Sequence, residues 1–112
     1  HAAVRWMGRL ILWTLADRGV ESLTRAEIRQ TIEDACRHRN LTLPDTAFLD
    51  REFDDQITQL QWIFDALTLN KDQYGFSVPL ARRWLRQSLS HQNDPVKQAH
   101  AGLMREWRRR PA

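Results

Sequence analysis

Few side chains in this chain could do covalent chemistry, and their spacing keeps them apart. Cys36 and His38 stand two residues apart in "CRH". A thiol becomes a nucleophile only with a base in hydrogen-bond reach. At i, i+2 on a helix the two side chains point to different faces, so Cys36 reads as a small buried thiol. His91 and His100 lie far from both. A zinc site needs three or four ligands at recognised spacings, and no such set occurs, so neither metal nor cofactor is expected. The pairs Glu33–Asp34 and Asp54–Asp55 are adjacent. Neighbours on a helix project about 100° apart, which leaves neither pair as an acid/base couple. No catalytic residue is expected.

What remains is charge. The stretch "LDREFDDQITQLQW" (49–62) carries Asp50, Glu52, Asp54 and Asp55 against one base, Arg51. Over residues 45–60 the net charge is −4, in a chain whose total is +3 and whose pI is near 9.7. Bases gather elsewhere: Arg82, Arg83 and Arg86, then Lys97, Arg105, Arg108, Arg109 and Arg110. Nucleic-acid affinity comes mostly from cations and N–H donors at phosphates. An acidic helix is therefore a poor reader of DNA, and is expected to meet a basic surface on a neighbouring domain or another protein. Such complementarity governs partner choice and association rate. The plain alternative is a solvated face helped by the helix dipole. The candidate contact residues are Asp50, Glu52, Asp54 and Asp55 on the acidic side. On the basic side they are Arg82, Arg83, Arg86, Arg108 and Arg109, with Trp107 beside them. "REWRRR" (105–110) could touch phosphates through its guanidinium groups; its plain alternative is a frayed terminus.

The elements that must carry these residues follow from periodicity. Trp6, Leu10 and Trp13 recur at i, i+4, i+7, predicting a helix over 4–16. Thr24 and Glu27 form a capping box, with Leu23 and Ile28 as its staple, opening a second helix. "NLTLPD" (40–45) is a loop. Leu49, Phe53, Ile57 and Leu60 lie on one face of a third helix starting near Asp45 or Thr46. "WIFDALTLN", "KDQYG" and "FSVP" read as a β-hairpin with a tip longer than two residues. Pro79 opens another helix, and Asp94-Pro95 caps a last amphipathic one with Val96, Ala99, Leu103 and Trp107 on its apolar line. The fold class is mostly α with a small β-hairpin.

At 112 residues, 42% of them hydrophobic and 28% charged, the chain is long enough for one core without staples. No apolar run approaches the roughly 20 residues of a membrane span, and no leader pattern opens the chain, so no membrane association is expected. One cysteine makes no internal disulfide, which points to a reducing, cytoplasmic setting. The chain begins at His1, and an excised piece of a longer protein is expected.

Three helices, a hairpin and a further helix is the order of a winged helix-turn-helix domain. "YGFSVPLARRWLRQ" (74–87) resembles the end of the winged-helix domains that follow the nucleotide-binding core in bacterial and archaeal AAA+/STAND-type ATPases, where a wing strand runs into a "P-L-x-x-x-W-L-R" helix. "FLDREFDDQITQLQW" is similar to their third helix. The resemblance covers roughly residues 4–89. It implies a winged-helix domain over 4–90 and, beyond it, a C-terminal amphipathic helix over 94–110, either an extension of the same domain or a docking segment. It also implies a non-catalytic regulatory or protein-interaction role. The chain lacks a P-loop, so ATPase activity would belong to another domain. The alternative it implies is a double-stranded DNA-binding domain gripping phosphates through its basic helices, and DNA ranks below a protein partner.

Overall fold

The computed structural model describes residues 5–18, 23–64, 67–70, 73–76 and 94–109. The expected helix after Pro79, with Arg82, Arg83 and Arg86, lies outside them. Among the described residues the chain is mostly helical, with a small antiparallel sheet. The order is α1 (Trp6–Arg18), β1 (Leu23–Thr24), α2 (Arg25–His38), α3 (Thr46–Phe64), β2 (Leu67–Asn70), β3 (Gln73–Phe76) and α4 (Pro95–Arg109). The sheet order is β1-β3-β2. β3 is central, pairing Leu23 with Tyr74 and Leu67 with Phe76.

Local chemistry sets the helix ends. Thr24 Oγ1 accepts from the Glu27 N–H at 3.1 Å, and Glu27 Oε1 accepts from the Thr24 N–H at 2.8 Å, completing the expected capping box. Asp45 Oδ1 accepts from the Phe48 N–H at 2.8 Å, and Asp94 Oδ1 from the Lys97 N–H at 3.3 Å, opening α3 and α4. α2 ends with the Leu41 N–H on the Cys36 carbonyl (2.9 Å) and the Asn40 N–H on that of Arg37 (3.0 Å). This is a Schellman closure with Asn40 in the left-handed region, φ 57°. A β-branched side chain is strained there, so Asn40→Val is expected to cost about 1–2 kcal/mol, whereas Asn40→Gly keeps or raises stability. Urea melts of the two variants test this; equal losses would contradict the assigned backbone.

Two expectations need correction. The apolar run "WIFDALTLN" is not all strand: Trp62–Phe64 end α3 and β2 begins at Leu67. A short apolar run suits helix and strand alike, and here the i, i+4 line through Phe53, Ile57 and Leu60 continues as helix. The long tip is also absent, since Asn70 pairs with Gln73 and only two residues separate the strands. β1 goes unforeseen because two residues carry no period.

The core joins the four described helices. Met7, Leu10, Ile11 and Leu15 of α1 meet Ile28, Ile32 and Cys36 of α2, Phe53, Ile57 and Leu60 of α3, and Val96, Ala99 and Leu103 of α4. α4 thus packs in this core, against α1 and α2. Gly102 lets it approach closely: a Cβ there would overlap the Trp6 indole. Arg39 Nε donates to both Asp94 carboxylate oxygens at 3.1 Å, tying the end of α2 to the start of α4. Burial opposes ionisation of Asp94, but Arg39 and the Lys97 N–H hold its carboxyl below the usual range.

Candidate functional site

Phe53, fully buried on the inner side of α3, is where the site begins. Two guanidinium groups of α2 lie over its ring, Arg25 at 4.9 Å and Arg29 at 6.0 Å from the centroid, within cation–π range. From there they reach the outward side of α3. Arg29 Nη1 donates to Asp50 Oδ1 at 2.6 Å, and Arg25 pairs with Asp54. The outward residues of α3 are Thr46, Ala47, Asp50, Arg51, Asp54 and Thr58. Both carboxylates are more than half exposed, 57% and 62%. Such pairs contribute about 0.2–1 kcal/mol each, so their main effect is to cancel charge.

The other two acids turn to Arg5, just before α1. Its Nε lies 3.2 Å from Glu52 Oε1 and its Nη2 3.3 Å from Oε2, while Nη2 also reaches Asp55 Oδ2 at 2.5 Å. The Arg5 N–H donates to Gln56 Oε1 at 2.7 Å. Gln56 is fully buried, and its amide in turn donates to Asp55 Oδ2 at 3.2 Å. Arg5 thereby closes the start of α1 onto α3.

Every acid singled out on α3 therefore has a cation in the same chain. The −4 of residues 45–60 becomes −1 once Arg5, Arg25 and Arg29 are counted. The acidic helix is expected to meet a basic surface on a neighbour; within the chain, α2 and the start of α1 already supply cations to it. Composition along one segment misses this because the partners are 21 to 50 residues away. A signal was present, however. Arg25 and Arg29 are spaced i, i+4 on one helix, Asp50 and Asp54 i, i+4 on the next, and opposite signs at equal spacing can ladder across two packed helices.

Glu106 of α4 approaches the same cluster, 3.9 Å from Arg5 Nε. Burial pushes its carboxyl up, the neighbouring Glu52 adds to this, and Arg5 opposes it. With the folded pKa above the unfolded one, the folded state binds more protons between them. Stability is then highest below the unfolded pKa and declines as pH rises through the window. Glu106→Gln is expected to raise the melting temperature at pH 7 and to leave it nearly unchanged near pH 3. A lower melting temperature at pH 7 would mean that the Arg5 contact outweighs the Glu52 repulsion.

Trp107 is half-buried, and its Nε1 donates to Asp45 Oδ2 at 3.1 Å, pinning α4 to the loop before α3. Arg108 and Arg109 are exposed in the last turn of α4. The structure brings the four acids together with arginines that composition does not single out, and places Trp107, Arg108 and Arg109 on a different helix. Cys36 is buried, which pushes its thiol up, partly offset by Arg39; His38 is exposed. Among the described residues no three His, Cys, Asp or Glu side chains gather as a metal site, and no helix is long and apolar enough to cross a membrane. Comparison with protein-family models, curated proteins and solved structures found no match to the chain.

Proposed function

We propose that this chain is a non-catalytic winged-helix module that acts by protein contact beside a nucleotide-binding domain of the AAA+/STAND type. The order α1-β1-α2-α3-β2-β3 with sheet order β1-β3-β2 supports the winged-helix reading. The "PLARRWLR" segment (79–86) supports the ATPase context. One observation carries the choice of protein over DNA: the outward face of α3 presents Asp50 and Asp54, with Arg29 and Arg25 engaged on them. In a major groove these carboxylates would face phosphates, and of the arginines at this face Arg25 and Arg29 are already paired, which leaves Arg51 against them. A face of alternating, balanced charge suits a protein surface, where like-charge juxtaposition rejects wrong partners and fixes register. Nucleotide state in the neighbouring domain would bias docking of this face between two positions, with Arg82, Arg83 and Arg86 supplying a second, basic contact.

The test exchanges charge without losing the internal pairs. A variant carrying Arg25→Asp/Asp54→Arg and Arg29→Asp/Asp50→Arg keeps the ladder but inverts what a partner meets. Within the parent ATPase, the variant is expected to melt near the wild-type temperature and to lose the nucleotide dependence of docking, read as a several-fold change in basal ATP hydrolysis. A folded variant with unchanged hydrolysis would sink the reading. Arg82→Glu/Arg86→Glu probes the second face in the same assay.

A further inference from the structure

Two groups stand out among the described arginines, apart from Arg18, which donates to Thr31 Oγ1 at 3.0 Å, and Arg51, exposed on α3. Arg5, Arg25, Arg29, Arg37 and Arg39 each pair with a carboxylate. Arg9, Arg105, Arg108 and Arg109 form no salt bridge with a described acid, and the Lys97 side chain feels Asp94 only as a nearby charge that helps hold that carboxyl down. They are also neighbours. Lys97, Arg105, Arg108 and Arg109 are exposed and, at i, i+8, i+11 and i+12, share one side of α4. Arg9 of α1 joins them through Trp6: its guanidinium lies 4.4 Å from the indole centroid, and that of Arg105 lies 5.7 Å from it. The half-buried Trp6 ring thus holds two cations of different helices on one surface. The one acid of α4, Glu106, reaches Arg5 instead.

We propose that this surface of α4 and α1 binds the phosphate backbone of nucleic acid without reading sequence. From Lys97 to Arg109 the helix rises about 18 Å, roughly the axial length of five phosphates along one strand. Four of the five cations are arginines, whose planar fork takes phosphate oxygens in pairs. The remaining exposed positions of α4 between them are Gln98 and Ala101. The Trp6 ring on this surface is itself overlain by the Arg9 and Arg105 guanidinium groups, so the face offers cations rather than the apolar anchor that a membrane-surface helix needs and that the centre of a protein interface normally carries. Phosphate binding here requires no helix in a groove and is independent of docking through α2 and α3.

Fluorescence anisotropy with a mixed-sequence 20-base-pair duplex, from 50 to 300 mM salt, tests it on the 112-residue chain. The wild type is expected to bind with an affinity that falls steeply with salt. Arg105→Gln/Arg108→Gln/Arg109→Gln is expected to weaken binding more than tenfold at 50 mM salt and to reduce the log–log salt slope by about 2.7. Arg37→Gln, which removes a cation already paired with Asp34, is expected to bind as wild type. Circular dichroism melts confirm that the variants fold, and Arg9→Gln serves as a second variant away from the α4 terminus. No duplex binding at 50 mM salt, wild-type affinity in the triple variant, or equal or tighter binding to decaglutamate or to phosphatidylserine vesicles would each overturn the proposal.

Discussion

Phe53→Ala is expected to be the most damaging single truncation among the described residues, lowering stability by about 3–5 kcal/mol. The ring is fully buried between α1, α2 and α3, so its removal loses apolar burial and leaves a cavity. It also removes the platform under Arg25 and Arg29. A loss of this size is a large part of the roughly 5–15 kcal/mol that holds a domain folded. The measurement is the urea midpoint at unchanged m-value. Phe53→Leu separates the two roles: it retains most of the volume and should lose far less stability, yet it releases the two guanidinium groups from the ring. A Phe53→Ala variant within about 1 kcal/mol of wild type would contradict the core as described.

Gly102→Ala is expected to destabilise by about 1–3 kcal/mol, against the usual preference of a helix interior, where alanine gains about 1 kcal/mol over glycine. The new methyl would meet the body of the Trp6 ring, Cγ, Cδ2 and Cε2, and α4 would have to lift from α1. The prediction is sharpest as a cycle. In a Trp6→Ala background the same substitution should become neutral or stabilising, giving a coupling well outside the additivity expected of independent sites. If Gly102→Ala stabilises the protein that retains Trp6, the close packing of α4 on α1 is wrong.

Helix periodicity and capping chemistry were enough to locate the described helices. The Leu49, Phe53, Ile57, Leu60 line predicts α3, and the Thr24–Glu27 box and Asp94-Pro95 pair mark helix starts where the structure has them. These signals are local, and each residue pattern contains its own geometry. The strand boundary at Leu67 and the two-residue β1 were not legible, because a short apolar run has no decisive period and β1 exists only through its pairing with β3. The candidate site was legible in its acids and hidden in its arginines. Nothing local to Arg5 announces that it will bridge Glu52 and Asp55 some fifty residues on. Likewise, Arg25 and Arg29 look like an ordinary solvated helix face until α3 is laid beside them. Net charge over a segment describes a surface only when no opposite charge packs on it from elsewhere.

The proposed preference for protein docking over DNA reading rests on that cancellation, and selection of bound duplexes from a random-sequence pool tests it most directly. With α3 kept out of the groove, the wild type should enrich no sequence motif. Whatever duplex it retains should be lost on changing Arg105, Arg108 and Arg109 to glutamine and be unaffected by the four-residue exchange between α2 and α3. Enrichment of a defined motif that disappears with that exchange would show α3 seated on base edges, and would contradict the account.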